Sequence, residues 1–366
     1  MALCIAVAFA AFGWSAHRRL RLLRAGAPAQ RLDRIGDRIG RLFAIALFQK
    51  KLPRYLVMGP IHMMIFWGFL VLLLNTAVLW GRGFHPAFDF FGLLSRDHAI
   101  GTAYWMVKDV ISVIVLIAAT LALLNRVVRQ PARMTKSAEA GLILLIIMTM
   151  MAADLAYWAS QVYAQGITSF HATEPFASLV SMLFARAGMD VGAVTLLGQI
   201  GFWTHSVLVL VFLNILPYGK HFHVVTSLPN VFLSNLEPPG KLPGDENIEK
   251  VIAEAEDAPD EPVFGVGQIQ HFTWKDMLDM YTCTECGRCT DNCPAARTNK
   301  DLSPKHLLID LRNHLYAREK EVLAGKLEEK PLVPDVIKSE VIWDCNTCRA
   351  CEEECPVMNS FVDKIV

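Results

Sequence analysis

Cys283-Thr284-Glu285-Cys286-Gly287-Arg288-Cys289-Thr290-Asp291-Asn292-Cys293-Pro294 and Cys345-Asn346-Thr347-Cys348-Arg349-Ala350-Cys351-Glu352-Glu353-Glu354-Cys355-Pro356 share one spacing, C-x2-C-x2-C-x3-C-P. Three thiolates from such a loop cap three corners of a [4Fe–4S] cubane, and the fourth cysteine reaches the other cluster. The spacing therefore predicts one cluster on Cys283, Cys286, Cys289 and Cys355, and a second on Cys345, Cys348, Cys351 and Cys293. Structural zinc usually sets two C-x2-C pairs a dozen or more residues apart. Here a third cysteine follows at once, in both runs. Disulfides do not suit motifs that belong to reducing compartments. Cys4, in an apolar stretch, reads as a small hydrophobe. Two clusters in one domain make a wire, so electron transfer is the expected task.

The formal net charge is zero, but the charges are segregated. Residues 1–240 carry an excess of Lys and Arg among long apolar runs, and residues 241–366 carry the matching excess of Asp and Glu. The pattern predicts a membrane domain followed by a soluble, acidic one. An acidic surface argues against nucleic acid as a partner and suits a redox protein with a basic patch.

A bilayer span needs about 20 mostly apolar residues. Segments 56–80, 103–125, 141–163 and 196–217 meet this, and residues 1–16 read as a fifth, shorter span. Arg and Lys crowd the connection from Arg18 to Arg54, and Arg126, Arg129, Arg133 and Lys136 fill the next basic one. The alternate loops hold only Arg82 and Arg96, then Arg186. By the positive-inside rule the basic loops are cytoplasmic. The N-terminus is then outside, and the fifth helix delivers the cysteine domain to the cytoplasm. The expected location is the inner membrane.

Ionisable groups at membrane depth are expensive and mark function by default. His62 and His205 lie inside the second and fifth spans and read as axial ligands of one haem b. Gly198 and Gly201 share the His205 face, where small residues would let a porphyrin approach. His223 lies five whole turns beyond His205, on the same face if the helix runs past Pro217. With His17 as its partner it gives a candidate second haem. Lys108, Asp109 and Asp154 are the candidates for exchanging protons with a membrane quinone; snorkelling at the interface is the alternative.

Residues 236–262 read as an acidic connection rich in Pro and Gly, with a short helix over 247–256. Ser303-Pro304-Lys305 starts a predicted helix through Tyr316 that buries Leu307, Leu308, Leu311 and Leu315. Another follows near 317–327. No alternating strand pattern stands out.

Gly59-Pro60-Ile61-His62-Met63-Met64-Ile65-Phe66-Trp67-Gly68-Phe69 and Leu216-Pro217-Tyr218-Gly219-Lys220-His221-Phe222-His223 resemble phrases of heterodisulfide reductase-like membrane proteins. The membrane part resembles nitrate reductase gamma-type cytochrome b subunits. The cysteine region resembles the C-subunit of heterodisulfide reductase and the iron–sulfur subunit of succinate dehydrogenase. The order of domains resembles electron-transfer flavoprotein:menaquinone oxidoreductases. That resemblance implies electrons passing between a cytoplasmic electron-transfer flavoprotein, the clusters, haem b and menaquinone. Where two-haem gamma subunits have a further histidine, this chain has Leu52. Longer relatives continue into cysteine-rich CCG domains. No such motif occurs before Val366, so a separate subunit is expected to supply one, or the chain is a shortened form.

The fold expected is all-α: a five-helix transmembrane cytochrome b-type bundle (1–235), the acidic linker (236–262) and an α-helical ferredoxin domain with two [4Fe–4S] clusters (263–366). The function expected is a quinone-linked oxidoreductase or a subunit of one. The alternative is a non-catalytic membrane anchor and electron relay of a larger heterodisulfide reductase-like complex, with quinol oxidation as one direction open to it.

Overall fold

The computed structural model describes residues 1–242, 265–326 and 331–366. The predicted helix over 247–256, and the connection from 243 to 262, lie outside the described residues. The main helices up to residue 242 are α1 (Ala2–Arg24), α2 (Ile35–Arg41), α3 (Met58–Arg82), α4 (Ala99–Leu124), α5 (Ala138–Ala164), α6 (Pro175–Arg186), α7 (Val191–Ile215) and α8 (His223–Phe232). Among the described residues there is no named strand, only an isolated parallel bridge between Ala27 and Thr273. The chain divides into two compact units.

The first unit comprises Met1–Gly13, Leu52–Pro131 and Lys136–Ile215. Four helical stretches here are long and apolar enough to cross a membrane: Met58–Arg82, Ala99–Arg129, Ala138–Ala164 and Val191–Tyr218. The helix α1 is not among them. Its last turns carry His17, Arg18, Arg19, Arg21 and Arg24. Exposed Leu196, Ile200, Trp203, Val207 and Val211 form an apolar stripe along α7, the face a lipid-bathed helix presents. Its other face is built from small residues. A Cβ on Gly201 would stand 2.5 Å from Ala153 O, and one on Gly198 would stand 2.0 Å from Ser160 Oγ. These glycines bring α7 against α5 and leave no slot for a porphyrin at that place.

The helix α7 ends at Ile215, followed by single 3-10 turns at Leu216–Tyr218 and Lys220–Phe222. Pro217 has no N–H to continue the ladder, and Gly219 is extended at φ −144° and ψ −167°. His223 opens a new helix, so the five-turn relation to His205 does not hold.

The second unit comprises Trp14–Lys51, Ala132–Thr135 and Leu216–Val366. The basic 14–51 connection is woven into it rather than left in solvent. Buried Arg38 donates to the carbonyls of Asp33 (2.7 Å), Phe232 (3.0 Å) and Ser234 (2.9 Å). A guanidinium has five donors in a fixed fork, enough to tie two backbone segments, at Asp33 and at 232–234, at once. Helix Trp274–Thr282 starts at a capping box between Thr273 and Asp276. Helix Pro304–Ala317 starts at Ser303 and buries Leu307, Leu308, Leu311 and Leu315. Beyond it, Glu319–Leu323 forms a helix shorter than the 317–327 expected.

Candidate functional site

The second unit contains two neighbouring cavities. One is lined by Cys283, Cys286, Cys289 and Cys355, and the other by Cys293, Cys345, Cys348 and Cys351. Buried Phe361 lines both. Cys348 is exposed, Cys286 and Cys345 are half-buried, and the other five are buried. Among the described residues no three His, Cys, Asp or Glu side chains converge to hold a single metal ion. Four cysteines spread around a cavity suit a cubane, which presents one iron to each sulfur.

The two loops repeat one backbone device. Glu285 and Thr347, each two residues after the first cysteine, have φ of 54° and 52°. Gly287 and Arg349, each one residue after the second, have φ of 76° and 56°. These left-handed turns aim backbone N–H groups at sulfur: Thr347 N donates to Cys345 Sγ at 3.4 Å. Asn359 N donates to Cys355 Sγ at 3.3 Å. Burial pushes the Cys283 thiol up to about 11 and the Cys355 thiol up to about 12. The thiolate is the metal ligand, so loading a cluster here releases protons.

The flanking charges differ. At the first quartet, the Glu285 carboxylate meets Arg312 at 2.6 Å and Lys220 at 3.6 Å. Burial opposes ionisation of Glu285, but the Arg312 hydrogen bond and charge outweigh it and lower its pKa. Arg288 and Lys305 also line that cavity. Arg133 Nη1 donates to Cys286 O at 2.9 Å, and Lys305 Nζ donates to Arg133 O at 3.0 Å. At the second quartet, Arg349 meets Glu352 at 2.7 Å and Asp363 at 2.8 Å. No motif flags Arg133, Lys305 or Lys220, because their positions depend on tertiary packing.

A second polar cluster lies within the first unit. Asp154, fully buried, meets Lys108 Nζ at 2.5 Å. It also accepts from Asn75 Nδ2 at 2.8 Å and Ser112 Oγ at 3.1 Å. Trp158 Nε1 donates to Asn75 Oδ1 at 3.2 Å. Lys108 is therefore paired deep in the unit and does not snorkel. Asp109 points elsewhere. Its Oδ2 accepts from Phe176 N at 2.6 Å and Ala177 N at 3.3 Å, at the start of α6. A carboxylate there satisfies orphan donors of a helix N-terminus. The 164–195 segment, read as a loop, thus contains a helix. Pro175 at its first turn was the available signal.

The histidines are not brought together in the pair expected. Buried His205 has Nδ1 3.1 Å from Met150 O and Nε2 3.4 Å from Thr76 Oγ1. Thr76 and His62 are both on α3, fourteen residues apart, which is ~21 Å along a helix rising 1.5 Å per residue. Two axial ligands of one iron stand only a few ångströms apart. His62 and His205 therefore do not fit a shared haem. His62 and His17 are exposed. In the second unit, His223 Nδ1 lies 2.8 Å from Lys220 O, and its ring is centred 6.2 Å from that of His221.

Residues 279–359 match the family described as "4Fe-4S dicluster domain". The chain is 31% identical over 386 residues to the probable iron-sulfur-binding oxidoreductase FadF of Bacillus subtilis, covering 95% of this chain and 52% of that protein. It is 31% identical over 379 residues to the EtfAB:quinone oxidoreductase of Syntrophomonas wolfei, covering 94% of this chain and 50% of that protein. A shorter match, 31% over 94 residues, is to the iron-sulfur C-subunit of the CoB–CoM heterodisulfide reductase of Methanopyrus kandleri, covering 26% of this chain and 40% of that protein. The chain spans about half the length of the first two relatives. No solved structure matches.

Proposed function

From a chain homologous to iron–sulfur oxidoreductases, we propose a membrane-bound relay that carries electrons between a soluble redox protein and the quinone pool. The observation that carries this reading is the pair of cavities, each lined by four cysteines, in a chain with four helices apolar enough to span a bilayer. Each quartet holds one [4Fe–4S] cluster, which supplies one-electron transfer when bound. The soluble partner is an electron-transfer flavoprotein, as the name of the Syntrophomonas relative suggests. The quinone is menaquinone. The bundle has five spans with α1 as the first, its N-terminus outside and the cysteine region in the cytoplasm.

Reducing a quinone to quinol takes two electrons and two protons. The Lys108–Asp154 ion pair, buried in the first unit, handles those protons in this reading. Asp109 acts as a positioning residue through α6. Haem b belongs to this reading without an assigned axial pair.

A second reading is a relay subunit within a larger complex, working from quinol toward a cytoplasmic reductase. Similarity to a heterodisulfide reductase subunit favours it.

The test uses detergent-purified protein under anaerobic conditions. Clusters reduced with dithionite, then freed of excess reductant, are followed by visible absorbance after adding a menaquinone analogue. Reoxidation is expected, together with at least a tenfold loss of rate in Lys108→Met. Clusters that stay reduced in the unmodified protein would remove the quinone from this reading.

A further inference from the structure

We infer that the first quartet (Cys283, Cys286, Cys289, Cys355) lies in a cationic cradle that holds its cluster at a higher reduction potential than the second. This rests on the two-cluster reading above. The charge arrangements at the two cavities are mirror images. At the first, one carboxylate, Glu285, stands between two cations, Arg312 and Lys220. At the second, one cation, Arg349, stands between two carboxylates, Glu352 and Asp363.

The first cavity has more cations. Arg288 and Lys305 line it and are 4% and 6% exposed. Lys305 Nζ donates to Arg133 O at 3.0 Å, and Arg133 Nη1 in turn donates to Cys286 O at 2.9 Å. Arg288 Nη1 donates to Lys51 O at 2.9 Å, holding that backbone beside the same loop. Among the described residues, Arg349 is the one charged side chain that lines the second cavity.

Reduction adds one negative charge to a cluster already carrying thiolates. Nearby positive charge stabilises the reduced form and raises the potential. Solvent exposure works in the opposite sense, because exposed Cys348 belongs to the second quartet. Buried cations prevail because they act with little screening, whereas exposed charges are damped by water and salt. An electron passing from the second cluster to the first oxidises one and reduces the other by one electron and moves no proton. Buried Phe361 lines both cavities.

The test is an anaerobic EPR redox titration of the full-length protein, after iron has been counted. Cys348→Ser, at the exposed ligand, assigns the second cluster by altering its signal alone. The first cluster is expected to reduce at the higher potential. Lys305→Gln is expected to lower that midpoint by tenfold in the equilibrium constant, 59 mV for a one-electron couple, and to leave the second unmoved. Lys305→Arg keeps the original value. A first midpoint at or below the second overturns the inference, and this comparison needs no charge variant to fold. So does a Lys305→Gln shift shared equally by both clusters. About four irons per chain, rather than about eight, would instead bring down the two-cluster reading, and that count precedes any titration.

Discussion

Gly287 and Arg349 occupy the same place in two copies of one loop, and they differ because of what packs on them. Both have positive φ. Arg349 tolerates it while its guanidinium meets Glu352 and Asp363. A Cβ on Gly287 would stand 2.1 Å from Arg133 O. Left-handed backbone costs a residue with a Cβ about 1–2 kcal/mol, and the oxygen contact adds to this. Gly287→Ala should therefore lose the first cluster, with iron per chain falling to about half while the second EPR signal stays. Full iron retention would show that the 132–135 segment yields easily.

Lys364 acts at the same scale. Its Nζ reaches half-buried Asp276 at 2.9 Å, and buried Asp279 at 2.8 Å and Ser360 O at 2.6 Å. Burial alone would lower the Lys364 pKa, but Asp276 and Asp279 outweigh it and raise it. Burial likewise opposes ionisation of Asp276, and Lys364 reverses that, lowering its pKa. The carboxylate's contribution is present above its unfolded pKa of about 3.9 and is lost as pH falls through its lower folded value. The lysine's is present below about 10.4 and is lost as pH rises through its higher folded value. Stability from this pair should thus be flat from about pH 5 to 10. Removing one partner of a buried pair costs about 3–5 kcal/mol. Lys364→Met should lower the melting temperature across that plateau, and an unchanged melt would reject the anchor.

At the scale of elements, four of the five expected spans were legible because length and apolar composition suffice to mark them. The leucines of Pro304–Ala317 were legible because a 3.6-residue period marks a core face. The quartets written from spacing and those lining the cavities contain the same residues. What periodicity does not give is depth. A helical wheel places His205 on an inward face of α7. It does not say that close packing on α5, through Gly198 and Gly201, sets its ring level with Thr76 on α3. Nor did sequence reveal that Asp154, Lys108, Asn75 and Ser112 form one cluster, since they come from three helices. A consequence can be checked in reduced-minus-oxidised spectra. If purified protein contains haem, His62→Ala and His205→Ala should not abolish the same signal. Loss of one identical low-spin band in both would restore the shared axial pair.

At the scale of the molecule, a cut at residue 263 would not free an intact iron–sulfur domain. The compact unit that carries the cysteines recruits residues 14–51 and 132–135 and everything described after 216. Residues 26–29 run beside 272–274: Ala27 N donates to Phe272 O at 2.9 Å, Trp274 N to Ala27 O at 3.0 Å, and Trp274 Nε1 to Ala29 O at 3.1 Å. Asn230 Nδ2 donates to Val357 O at 2.9 Å, next to the last cysteine-proline pair. Arg133 and Lys51 bind the first cysteine loop directly through Cys286 O and Arg288. A fragment of residues 263–366 would lose all of these partners and leave buried donors and acceptors unsatisfied, each costing about 1–3 kcal/mol. Native domains have only about 5–15 kcal/mol to lose. The fragment should therefore retain less iron through gel filtration than the full chain, with the first quartet depleted first. Equal iron and equal EPR signals in the fragment would mean that the cysteine region is self-sufficient and that the basic connections only rest upon it.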